Sequence, residues 1–153
     1  MIEGKFEGMT KFILFLHILG AVGMGFYLVF PILAARISSL NKQVQEGYVQ
    51  ALVSANRFGQ ILLLVQFLTG GYLIGKYTDL SPAWMIAVIV LVILAGALSG
   101  MVGGPLKRIV KGLQTGAGTD KDVTKINTFS ILLTVILIAL VVLMVYPEIL
   151  PKA

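Results

Sequence analysis

Four uncharged stretches, each long enough to cross a bilayer, decide what this 153-residue chain can fold into. They run from about 12 to 35, 58 to 75, 83 to 104 and 126 to 146, and none contains Lys, Arg, Asp or Glu. A helix needs ~20 mostly apolar residues to cross the ~30 Å hydrocarbon core. Lipid offers no partner to an open strand edge, so helices are the reading. Charged residues make up 12% of the chain, about half the ~25% of a soluble domain. The sequence predicts one integral membrane domain over 1–153, an all-α four-helix transmembrane bundle.

Lys and Arg set the expected orientation. Arg36, Lys42 and Arg57 fall in the first connection, and Lys107, Arg108, Lys111, Lys121 and Lys125 in the third. Lys5, Lys11, Lys76 and Lys152 fall on the other side. The positive-inside rule then places the first and third connections in the cytoplasm and both termini outside. Tyr72, Tyr77, Trp84 and Tyr146 fall near the outer interface, where amphipathic rings sit. The N-terminal run is longer than a signal-peptide core and reads as retained. The expected location is the cell (inner) membrane of a bacterium or archaeon, with the lipid bilayer as the constant partner.

The connections carry helical patterning of their own. Val44, Tyr48, Ala51, Leu52 and Ala55 recur at helical spacing, so the second helix is expected to begin near Asn41. Leu106, Ile109, Val110 and Leu113 form an apolar stripe with Lys107, Arg108 and Lys111 off it. That pattern predicts a short basic amphipathic segment on the inner leaflet. Residues 115–119 then form a Gly-rich hinge, and Thr119 with Asp122 resembles a capping box for the last helix.

Gly96, Gly100 and Gly104 leave one face of the third helix bare, and Gly71 and Gly75 do the same for the second on a smaller scale. Such faces let helices approach closely, within one chain or between two. Pro31 cannot donate to Tyr27 and should bend the first helix.

Little chemistry remains. There are no cysteines, which excludes thiolate metal sites and covalent c-type haem. No acidic residue lies in a span, so a carboxylate proton carrier is missing. There is no phosphate-binding loop and no zinc-protease motif, and the basic charge belongs to the connections, so nucleic-acid binding is unsupported. The one histidine, His17, lies inside the first span. Imidazole in hydrocarbon demands a partner. Gln66, Thr69, Tyr72 or Tyr146 could bond it across helices. Alternatively His17 could ligate haem b, or copper with the help of Met24. A bis-histidine haem would need two chains. Arg57, Asn56 and Gln60 form a polar cluster where the second helix enters the membrane, and Arg57 either snorkels or holds a phosphate or propionate.

The stretch Lys11-Phe12-Ile13-Leu14-Phe15-Leu16-His17-Ile18-Leu19-Gly20-Ala21 resembles the first helix of a family of small four-span bacterial membrane proteins of unknown function. It is similar in turn to the first helix of copper-resistance D-type and related haem-associated membrane proteins. The resemblance implies His17 as the ligand residue. The later helices lack the histidines of multi-haem relatives.

The expected function is a non-enzymatic membrane protein holding haem b, or else copper, at His17, with a homodimer interface on the glycine faces. An accessory subunit of a larger, respiratory-type membrane complex is the alternative. A small transporter component with a hydrated cavity at Gln66 and Thr69 is a third.

Overall fold

A computed structural model describes residues 2–76 and 80–150, with backbone alone for 2–6. Tyr77 and Lys152, and the side chain of Lys5, lie outside the described residues. Five α-helices follow in order: α1 (Ile2–Met24), α2 (Phe26–Ala35), α3 (Lys42–Ile74), α4 (Pro82–Thr115) and α5 (Asp120–Val145). Short 3-10 turns span Arg36–Ser39 and Pro147–Ile149. α1 and α2 make one rod interrupted by a single tight turn at Gly25, so four apolar segments long enough to cross a membrane result.

The bundle is a closed ring. α1 packs on α3, α3 on α4, α4 on α5, and α5 on α2. The first rod therefore changes neighbours along its length. One face of its α2 half is sealed inside: Tyr27, Phe30 and Ala34, with Ile37 of the turn that follows, are fully buried against Leu106, Ile109, Ile126 and Leu133, while Leu28 and Ile32 face outward. Its α1 half is open, with Phe12, Phe15, Ile18 and Val22 exposed. The tight half lies toward the first and third connections, called here the basic end. The loose half lies toward the termini, the terminal end.

Pro31 stays inside α2. The Tyr27 carbonyl it leaves unpaired accepts instead from the Thr134 hydroxyl of α5, 2.8 Å away. The helix is not interrupted at Pro31; the interruption of the rod lies six residues earlier, at Gly25, whose N–H donates to Val22 O at 3.0 Å.

α3 begins where expected. Asn41 caps it, its side chain accepting from Val44 N at 3.1 Å. α4 differs from expectation. No separate segment lies along a leaflet: α4 runs unbroken to Thr115, through a buried Pro105. The stripe of Leu106 and Ile109 packs into the core of the bundle instead of into lipid. Gly116 ends α4 in the left-handed conformation at φ 74°, a role that suits a residue without Cβ. The expected capping box does not form. Thr119 makes no side-chain cap bond: the Asp122 N–H donates to the Thr119 carbonyl at 3.0 Å, and the Asp122 carboxylate accepts from Arg108 Nε and Nη2 at 3.0 and 2.8 Å. Gln114 donates to Glu46 at 2.7 Å and ties α4 to α3 at the same end.

The expected glycine faces are not the ones that pack. A methyl at Gly71, Gly96 or Gly100 would meet nothing within 4 Å. Gly104 would meet Arg108 of its own helix, and Gly75 its own backbone. The close approach falls elsewhere: the Tyr27 ring lies against the bare backbone of Gly59, and the His17 ring against that of Gly70.

Candidate functional site

His17 faces α3. Its Nδ1 lies 2.9 Å from Thr69 Oγ1, and its Nε2 lies 3.0 Å from Gln66 Nε2. Thr69 in turn donates to Val65 O at 2.7 Å. One order of protons satisfies every link. Gln66 donates to Nε2, Nδ1–H donates to Thr69, and the Thr69 hydroxyl donates back to its own helix. The ring proton is thereby assigned to Nδ1 from the network. His17 is one turn of a bonded ladder between α1 and α3, as the spacing of Gln66 and Thr69 on one helix face permits.

The other proposed partners stand apart. Tyr72 sits farther toward the terminal end, its hydroxyl 3.4 Å from Thr10 and its ring 5.8 Å from Lys76 Nζ. Tyr146 is exposed. Met24 is buried in the core, two helical turns from His17, and lines no cavity with it. Arg57 is exposed, whereas Asn56 is buried and Gln60 half-buried. Asn56 and Gln60 both donate to Ser99 O at 3.0 Å, and Tyr27 Oη donates to Asn56. The polar cluster expected at the entry of the second helix is thus split. Asn56 and Gln60 bond across to α4, and Arg57 faces the opposite way.

Beside the His17 ladder the loose half of the bundle encloses a cavity of about 670 Å³. Its walls come from α1, α3 and α4, with Met144 and Pro147 closing the terminal end. Phe67, Trp84, Val88 and Val92 supply much of the wall, and no Lys, Arg, Asp or Glu lines it. His17 and Gln66 supply its polar side chains, apart from the Trp84 indole, whose Nε1 is already committed to Leu143 O at 2.7 Å. The volume falls in the ~300–1,000 Å³ range of small-molecule sites, and so does the pattern of apolar walls with few polar groups.

Gln66 is the underused group. Its Oε1 is buried without a partner, lying against the bare backbone of Gly20, where a methyl would come within 2.7 Å. Its Nε2 carries two protons and one partner, His17. An unpartnered buried polar atom costs about 1–3 kcal/mol.

The arrangement bears on metal ligation. Both ring nitrogens of His17 are engaged, so an iron or copper at this ring would require Gln66 or Thr69 to release one. Met24 does not line the cavity on which the ring lies. Among the described residues no group of three His, Cys, Asp or Glu could hold a metal ion.

Phe67, Trp84 and Val92 were not legible as site residues. Apolar side chains in an apolar helix carry no mark of a cavity, and only the splay between α1 and α4 creates one. No protein-family model matches the chain, and no curated protein or solved structure does so either. The resemblance of the first helix therefore rests on its own residues.

Proposed function

We propose that this chain is a non-catalytic integral membrane protein that binds a neutral, carbonyl-headed apolar molecule in the cavity beside His17. The observation that carries this reading is the cavity wall itself, apolar except for an imidazole and a carboxamide with one N–H to spare. The absence of charge on the wall favours an uncharged head. Gln66 Oε1 is sealed against Gly20, so the group left to meet a ligand is the second N–H of Nε2, which favours an acceptor such as a carbonyl. His17 orients Gln66, and Thr69 orients His17. The basic end faces the cytoplasm in this reading, so the cavity opens in the outer half of the bilayer.

Trp84 provides the test, since it is the one tryptophan of the chain and lines the cavity. Ubiquinone-1 titrated into nanodiscs of uncharged lipid should quench Trp84 emission saturably. Gln66→Leu should abolish the saturable part. Linear, identical quenching in both proteins would overturn the reading.

Haem b at His17 is the second reading, favoured by the position of the ring on the cavity wall. It requires Gln66 to release Nε2. Its signature is a Soret band in protein from haem-replete cells, lost in His17→Ala; a flat spectrum removes it.

A further inference from the structure

A second, smaller cavity of about 380 Å³ lies between α3 and α4, nearer the basic end. Gln60, Gly96 and Ser99 mark its far limit. Phe67 and Val92 line both cavities. The two chambers are therefore neighbours along one groove, divided by a pair of apolar side chains. Along α4 the groove extends from Trp84 past Val92 to Ser99, which is roughly 22 Å at 1.5 Å per residue. The far chamber opens where no helix of the bundle covers α4: a methyl at Gly96 would meet nothing within 4 Å, and Ile93 is 58% exposed.

We infer that the ligand of the His17 cavity is long-chained, its head beside Gln66 and its tail laid past Phe67 and Val92 into the Gly96 chamber. The inference rests on the function proposed above. Three features carry it. The larger chamber holds the imidazole and the carboxamide that the proposed function assigns to a head. In the second, the Ser99 hydroxyl is committed to Gly96 O and one N–H of Gln60 to Ser99 O, so the far end keeps a single N–H of Gln60 in an otherwise apolar wall. The chambers share two lining residues, Phe67 and Val92. Phe67 is 45% exposed, and a side chain free on one side changes rotamer readily. A molecule with a head and no tail would leave the second chamber to bulk lipid chains. Because lipid is as apolar as the groove, a tail gains from close packing and not from leaving water, so the expected advantage is modest.

The test compares ubiquinone-1 with ubiquinone-4, which differ in tail alone, by Trp84 quenching in nanodiscs at matched mole fraction in the bilayer. Ubiquinone-4 should bind the wild-type protein more tightly, on the order of fivefold. Gly96→Phe fills the second chamber from a position with room for a side chain. It should lower ubiquinone-4 to the affinity of ubiquinone-1 and leave ubiquinone-1 unchanged. Ile93→Trp enters the same chamber from another position and should do the same; its added indole is corrected by the quinone-free emission. Equal affinity for both quinones, with no effect of either substitution, would overturn the long-chain inference and leave the head site standing. Saturable quenching by neither quinone would remove the head site itself, and the inference with it.

Discussion

The hydroxyl of Thr134 donates to the carbonyl of Tyr27 across the α2–α5 interface at 2.8 Å. That carbonyl is the one Pro31 cannot serve. The proline and the threonine are thus one device, separated by most of the chain. Thr134→Val should leave the carbonyl unpaired and destabilise the fold by about 1–2 kcal/mol. In a Pro31→Ala background the helix supplies its own N–H, and the same substitution should cost less. Reversible unfolding in mixed micelles, read as a double-mutant cycle, checks this. Equal costs in both backgrounds would refute the pairing.

Gly59→Ala tests the packing of the same tyrosine. A methyl there would strike the Tyr27 ring. Alanine improves helix propensity by about 1 kcal/mol, but overpacking costs about 1–3 kcal/mol, and the Tyr27–Asn56 bond is at risk as well. A net loss of thermal stability is expected. A gain would mean that Tyr27 has room to move.

Two candidate helix caps make a contrast. Asn41→Ala should destabilise by about 1 kcal/mol, as loss of a bonded cap does. Thr119→Ala should change little, because Thr119 makes no cap bond. Amide exchange in the first turns of α3 and α5 separates them: faster exchange is expected at Val44 and not at Asp122.

The helices were legible because charge is excluded from the spans, and the start of α3 near Asn41 because apolar residues recur at helical spacing from Val44 onward. Which glycines meet a neighbour was not. Gly96 and Gly100 recur as regularly as any packing face, yet helix rotation turns them away from the bundle, while Gly59, alone in sequence, and Gly70, beside the open Gly71, take rings. Thr119 and Asp122 misled for a related reason: the Asp122 carboxylate pairs with Arg108 of the preceding helix, and its N–H with the Thr119 carbonyl. His17, Gln66 and Thr69 were visible as candidates, since polar groups in a span need partners. The cavity beside them depends on α1 leaning on α3 alone, and no periodicity encodes that.

Gly100→Leu should be tolerated by the isolated bundle, because nothing in it meets that face. Thermal stability and monomer size in detergent should stay within error of wild type. If the protein associates with a second copy or a larger complex through this face, the substitution should abolish that association in native membranes while the fold persists. Unfolding of Gly100→Leu would show that the face is used within the bundle.

The most direct measurement is the lipid that the protein carries from its own membrane. Protein purified from native membranes in mild detergent should yield, on organic extraction and mass spectrometry, a neutral carbonyl-headed long-chain molecule near one per chain. Gln66→Leu prepared in parallel should yield it only at background. Equal traces from both proteins would contradict the account, because then the carboxamide beside His17 holds nothing.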